Sequence, residues 1–130
     1  MILVVDDELY FMKPLTYSLE AEGLKTLEAR TASECLNLLR CRKDIEVVIL
    51  DVMMPPGEFG LKETNDGLRT GLVLLREIRK DYPDLPVFLL TKLEGMDEAS
   101  SDVHTVVLSK IDITPRELVR LVKESTNKKS

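Results

Sequence analysis

The sequence predicts an α/β domain in which five parallel strands form one sheet covered by helices on both faces. Five short apolar runs, Ile2 to Val5, Lys25 to Ala29, Glu46 to Leu50, Pro86 to Leu90 and Thr105 to Leu108, alternate with segments of helical periodicity. The runs are rich in β-branched residues and nearly continuous in apolarity, as strands buried on both faces require. Strict alternation of strand and helix implies parallel neighbours joined by right-handed crossovers. At 130 residues the chain makes one domain, which buries about two-thirds of the surface its unfolded form exposes.

Each helix carries a signal in the sequence. In the first, Leu9, Met12, Leu15 and Leu19 form an apolar stripe interrupted by Pro14. A proline in a helix interior costs roughly 3 kcal/mol, so a kink or a late start is expected. Thr31-Ala-Ser-Glu34 and Thr114-Pro-Arg-Glu117 have the capping-box pattern, the latter with proline at the favoured first helical position. Asp66 is placed to cap a helix whose stripe is Leu68, Leu72, Leu75 and Ile78. Between the fourth and fifth strands, "KLEGMDEASSD" has hardly any apolar stripe, so a short or frayed helix is expected. The domain is expected to span residues 1–125, with 126–130 a disordered tail. Cys35 and Cys41, on different faces of one helix, make neither a disulfide nor a metal site.

Composition narrows the function. Hydrophobic residues at 44% and charged residues at 32% are the balance of a soluble globular protein, and a net charge of -5 argues against a nucleic-acid surface. No apolar run approaches the ~18 to 20 residues of a membrane span, and "MILVVDDE" reaches acids too early for a signal peptide. A cytoplasmic protein is expected.

In such a sheet, ligands bind beyond the carboxyl ends of the strands. The predicted strands end at Asp6 and Asp7, at Asp51, at Thr91 and at Lys110. Alone, Asp6 or Asp7 would read as a helix cap, Asp51 as a turn residue and Lys110 as a solvated charge. Their meeting on one rim is a different matter. Two carboxylates ~4 Å apart repel by about 4 kcal/mol at an effective dielectric of 20, so the cluster needs positive charge. Lys110 supplies one charge, and an all-oxygen pocket suits a hard cation such as Mg²⁺, which takes one or two carboxylates and a phosphate oxygen. Phosphoryl transfer is the implied chemistry. Asp51 is the nucleophile, Asp6 and Asp7 hold the metal, and Thr91 and Lys110 receive the phosphoryl oxygens.

With "LVVDDE", "VVILDVMMP", "NDG", "FLLT" and "VVLSK" in this order, the whole chain resembles the receiver domains of two-component response regulators, in particular stand-alone, chemotaxis-regulator-like ones. The resemblance implies a flavodoxin-like sheet in the order 2-1-3-4-5. It implies Mg²⁺, replaceable by Mn²⁺, bound directly by Asp7 and Asp51, through water by Asp6, and by the carbonyl of Met53. It also implies a phosphoacceptor at Asp51, served by a sensor histidine kinase, a phosphotransfer protein or a small donor such as acetyl phosphate, with a downstream effector protein and a monomer or weak dimer. The output then passes to another protein, or the receiver is part of a longer chain.

Four departures from the family pattern stand out. Gly67 follows Pro55 by twelve positions, against the family's usual four. Lys92 occupies a place usually held by a small residue, Val107 that of an aromatic switch residue, and Ile111 that of a proline preceded by a cis peptide. A cis bond before a non-proline residue costs about 2.5 to 4 kcal/mol, so a trans bond with a reshaped loop, or a strained cis one, is expected at Lys110–Ile111. The polar insertion, with Glu58, Lys62 and Glu63, is expected to border the pocket and to act on the kinase or on phosphoryl lifetime.

Other classes fit less well. A phosphohydrolase with an aspartyl nucleophile needs a second Asp where Met53 stands. A GTPase needs a G-x-x-x-x-G-K-[ST] loop, which the chain lacks. An acidic rim would repel the phosphate of a flavin. The alternative that stays open is a degenerate receiver, a binding module that works without phosphorylation.

Overall fold

The computed structural model describes residues 1–92 and 103–127. Its strands are β1 (Ile2–Val5), β2 (Thr26–Ala29), β3 (Val47–Asp51), β4 (Val87–Thr91) and β5 (Thr105–Ser109); its helices are α1 (Leu9–Ala21), α2 (Ala32–Cys41), α3 (Thr70–Asp81) and α4 (Pro115–Asn127). Neighbouring strands pair in parallel in the order β2-β1-β3-β4-β5. This is the expected flavodoxin-like fold.

The strands are apolar at consecutive positions because each face of the sheet has its own core. Leu3, Val5, Val48, Leu50, Val87 and Leu89 pack with Cys35 and Leu39 of α2 and with Leu74 and Ile78 of α3. The alternate residues Ile2, Val4, Val47, Ile49, Phe88 and Leu90 pack with Met12, Leu15 and Leu19 of α1 and with Leu118 and Val122 of α4. Each fully buried aliphatic side chain contributes roughly 1.5–3 kcal/mol, so both layers are needed to hold the sheet. The order reverses between β1 and β3, which opens the crevice where ligands bind in folds of this kind.

In both capping boxes the threonine half forms. The Thr31 hydroxyl accepts the Glu34 N–H at 3.1 Å, and the Glu34 carboxylate accepts the N–H of Arg30, one residue before the cap, at 3.2 Å. The Thr114 hydroxyl accepts the Glu117 N–H at 3.1 Å. Cys35 is buried and Cys41 exposed, on different sides of α2 as expected.

Other expectations are corrected. Helix α1 begins at Leu9 despite Pro14. Pro14 and Tyr10, the residue whose carbonyl would have taken its bond, are both exposed, so water can satisfy that carbonyl. Leu9 itself is exposed, and the buried stripe is Met12, Leu15 and Leu19. Asp66 does not cap α3. The helix starts at Thr70 after Arg69, without a side-chain cap, because Asn65, Asp66 and Gly67 all take positive φ and turn the chain first. Leu68 therefore lies outside the helix, exposed, while Val73 and Leu74 join Leu75 and Ile78 in the core. Helix α4 continues through Thr126 to Asn127, inside the segment expected to be tail. The expected helix in "KLEGMDEASSD" falls on 93–102, outside the described residues. One expectation in this region is met: of the two alternatives at Lys110–Ile111 the bond is trans, as no cis peptide occurs among the described residues.

Candidate functional site

Three strand ends build the rim. Asp6 follows β1, Asp51 closes β3 and Lys110 follows β5, so the sheet register carries all three to the same edge. Alternation puts Asp51 on the face of Ile49, toward α1, where Glu8 and Phe11 lie at the start of the helix. Asp6, Asp51 and Lys110 are 2%, 3% and 6% exposed, a degree of burial that charged residues tolerate only when paired.

Lys110 is the centre of the cluster. Its Nζ donates to Glu8 Oε1 at 2.6 Å and to Asp51 Oδ2 at 3.1 Å, and sits 4.6 Å from the centroid of the Phe11 ring. It also lies 2.9 Å from Asp6 Oδ2, but off the direction of a hydrogen bond. Asp6 Oδ2 is thus buried, in ionic contact, and without a hydrogen-bond donor among the described residues. Asp6 Oδ1 accepts the Glu8 N–H at 2.9 Å, and Asp51 Oδ1 takes a long 3.4 Å contact from the Met53 N–H.

The charges shape each other. Burial pushes the Asp51 carboxyl up to about 7, and the Asp6 charge adds to the push, against the pull of Lys110. Hydrogen bonding to Lys110, then to Tyr10, draws Glu8 down to about 2. Burial works against the Lys110 charge, yet the surrounding Glu8, Asp6 and Asp51 carboxylates outweigh it and hold its pKa above the ordinary lysine value. Burial raises Asp7 as well.

Asp6, Glu8 and Asp51 each offer a carboxylate oxygen within 4.8 Å of the others. An all-oxygen donor set with one buried oxygen lacking a donor fits a hard divalent cation such as Mg²⁺. Asp7, expected as a direct ligand, is half-buried beside this group and not one of its three members. Glu8 is the member that the sequence pattern did not single out. Its signal is a third consecutive acid at a strand end, "DDE".

The remaining predicted residues fall at different distances from the charged cluster. Thr91 is buried at the end of β4, and its carbonyl accepts the Lys110 N–H at 2.9 Å, which ties the two together through the backbone. Lys92 is exposed, and its Nζ lies 3.5 Å from Glu8 Oε1. Val107 is half-buried against the α2–α3 layer of the core. Glu58 accepts a bond from Ser33 Oγ at the start of α2 at 3.1 Å, and Lys62 is exposed.

A glycine with no motif around it positions the end of the Asp51 strand. A side chain on Gly71 would meet the Asp51 carbonyl and come within 2.6 Å of Val52 Cα, and the Gly71 N–H donates to the Val52 carbonyl at 2.8 Å. Helix α3 rests directly on the backbone of the Asp51 strand. Gly67, which the resemblance singles out, instead lies against the Met54 carbonyl, where a side chain would come within 2.8 Å.

Residues 2–111 match the family model described as "Response regulator receiver domain". Among curated proteins, the chain is 32% identical over 97 residues to the probable transcriptional regulatory protein TcrX of Mycobacterium tuberculosis, covering 75% of this chain and 36% of that protein. It is 28% identical over 123 residues to the response regulator SaeR of Staphylococcus aureus (strain USA300), covering 91% of this chain and 46% of that protein. The chain thus spans less than half the length of these relatives. Among solved structures, a response regulator receiver domain protein from Clostridium thermocellum superposes with a TM-score of 0.78 at 29% identity, covering 98% of this chain and 94% of that one. The response regulator TrrA from Thermotoga maritima, solved in complex with Mg(2+)-BeF, gives 0.68 at 30% identity, covering 95% and 96%. Strand order, rim and family match agree: the chain belongs to the response regulator receiver domain family of two-component signalling systems.

Proposed function

We propose that the chain is a phosphoacceptor switch that takes a phosphoryl group on Asp51 in a Mg²⁺-dependent reaction. The observation that carries this reading is the buried Asp51 carboxylate at the end of β3, 3.1 Å from a buried lysine and beside an Asp6 oxygen that has no hydrogen-bond donor among the described residues. A charged group costs several kcal/mol to bury, so such a cluster is kept for chemistry more readily than for stability.

An Asp51 oxygen bonds to phosphorus as the bond from phosphorus to the donor breaks, and the departing imidazole or acetate keeps that electron pair. Lys110 pairs with one oxygen of the new group, and the Thr91 hydroxyl bonds another. Asp6, Asp7 and Asp51 with the Met53 carbonyl would hold the metal, and Glu8 shares the acidic group with Asp6 and Asp51. Mg²⁺, when bound, neutralises the transferring group and fixes its oxygens. Because Lys110 and Thr91 share a backbone hydrogen bond, drawing either toward the phosphoryl group moves the ends of β4 and β5 together. A sensor histidine kinase or phosphotransfer protein as donor, a downstream effector as reader and a cytoplasmic location complete the reading. The Mg(2+)-BeF complex of TrrA supports it by likeness.

The test is adduct formation with acetyl phosphate or beryllofluoride, read by intact-protein mass and ¹⁹F NMR with and without Mg²⁺. A Mg²⁺-dependent adduct that disappears in Asp51→Asn is expected. No adduct on the wild-type chain, or an equal one on the variant, would leave the phosphorylation-independent binding module as the better reading.

A further inference from the structure

Glu8 stands at the crossing of two contact networks. One of its carboxylate oxygens, Oε1, takes Lys110 Nζ at 2.6 Å and lies 3.5 Å from Lys92 Nζ, while the other, Oε2, accepts from the Tyr10 hydroxyl. The Lys110 contact is the shortest of the three that its ammonium makes to carboxylates, shorter than those to Asp6 at 2.9 Å and Asp51 at 3.1 Å. Glu8 also differs from those two in exposure, with its side chain 23% exposed against 2% and 3%. It reaches in from the rim, tethered on the solvent side by a phenol and a second ammonium.

We propose that Glu8 is a positioning residue that holds Lys110 while Asp51 is unmodified and gives it up when a phosphoryl group arrives. This rests on the phosphoacceptor reading above. With carboxylate oxygens of Glu8, Asp6 and Asp51 at 2.6, 2.9 and 3.1 Å, the ammonium cannot keep all three contacts and also close on a phosphoryl oxygen. One partner must be released. Asp6 and Asp51 are buried, and an unpaired charge there is costly, whereas Glu8 can turn toward Lys92, Tyr10 and water. Lys92 then acts through Glu8: by pulling on the same oxygen, it loosens the hold on Lys110. The lysine that replaces the family's small residue at this position thereby acquires a role in setting how readily the switch is thrown.

The proposal fixes the signs of two variants. Glu8→Gln keeps the shape but weakens the competitor for Lys110, so beryllofluoride at saturating Mg²⁺ binds about three- to tenfold more tightly, the range of one charge-assisted hydrogen bond at a partly exposed site. Lys92→Gln leaves Glu8 Oε1 with Lys110 alone, so beryllofluoride binds about two- to threefold more weakly, and this loss vanishes when Glu8→Gln is already present. Beryllofluoride affinity is read by ¹⁹F NMR titration, and Mg²⁺ affinity without beryllofluoride by calorimetry. Unchanged or weaker beryllofluoride binding in Glu8→Gln overturns the proposal. So does a Mg²⁺ affinity that falls tenfold or more, as Glu8 is then a metal ligand. A Lys92→Gln loss of equal size in both backgrounds shows Lys92 acting directly on the phosphoryl group and overturns its part. If the wild-type chain binds no beryllofluoride, the phosphoacceptor reading itself fails; if it binds and Glu8→Gln matches it, only the role of Glu8 falls.

Discussion

The rim and the segment from Pro55 to Arg69 begin within a few residues of each other, yet they solve burial in opposite ways. At the rim, Asp6, Asp51 and Lys110 are charged and buried. In the segment, Glu58, Lys62, Glu63, Asp66 and Arg69 all face solvent, and the fully buried polar groups there and at the helix start are the neutral hydroxyls of Thr64 and Thr70. Thr64 Oγ1 donates to the Gly60 carbonyl at 3.0 Å and accepts the Gly67 N–H at 3.2 Å, and Thr70 Oγ1 donates to the Met54 carbonyl at 2.6 Å. Neutral groups that bond their own neighbourhood stabilise a fold at little desolvation cost, whereas buried charges rarely do. The insertion is therefore folded structure stapled to the Asp51 strand, and the rim is where charge is buried at a cost to stability.

Breaking the staple should do more harm to the fold than altering the rim. Gly71→Ala forces a methyl group into the backbone of Asp51 and Val52, so a loss of roughly 3 kcal/mol or more is expected in urea unfolding. A change below 1 kcal/mol would mean that α3 does not rest on that strand. Thr70→Val removes the donor to Met54 at nearly constant volume and should cost about 1–2 kcal/mol, as a buried carbonyl loses its side-chain partner.

At the rim the sign reverses. The Asp51 carboxyl titrates near 7 in the folded protein against an ordinary 3.8, so between those values the folded state holds a proton that the unfolded state has lost. The contribution of Asp51 to the stability of the metal-free protein therefore falls as pH rises from about 4 to 7. Asp51→Asn should remove that dependence and raise stability near pH 7.5 by on the order of 1–2 kcal/mol, less than the full shift implies because Lys110 loses a partner. Thermal melts of both proteins across that range check it; an equal slope would place the titration elsewhere. Glu8 works in the other direction and in another window. Its depressed value, about 2 against 4.5, makes a contribution that is present above 4.5 and lost as pH falls toward 2.

The smallest effect belongs to the outer surface of the insertion. Lys62→Ala and Glu63→Ala should each change stability by no more than about 0.5 kcal/mol. We expect that any effect of the pair on phosphorylation will appear with a histidine kinase as donor and not with acetyl phosphate. An equal change with both donors would tie the insertion to the pocket instead of to the kinase.

Much of the fold and of the rim is legible in the sequence. Apolar runs with alternating faces, two capping boxes and the residues at the strand ends determine the sheet, its layers and the meeting of Asp6, Asp51 and Lys110 on one edge. These are local signals, because period and capping act within a few residues. Tertiary structure decides what depends on residues far apart in the chain. Glu8 reaches Lys110 across a separation of 102 residues, a contact that no local pattern encodes. Asp66 has the look of a cap, but a run of positive φ delays the helix to the point where Gly71 can lie on the Asp51 backbone. The sequence alone determined which groups stand at the rim, since a strand must end on some residue. Which of them touch, and which is held against which, was decided only when the sheet brought distant ends together, because charge and close contact act through space and not along the chain.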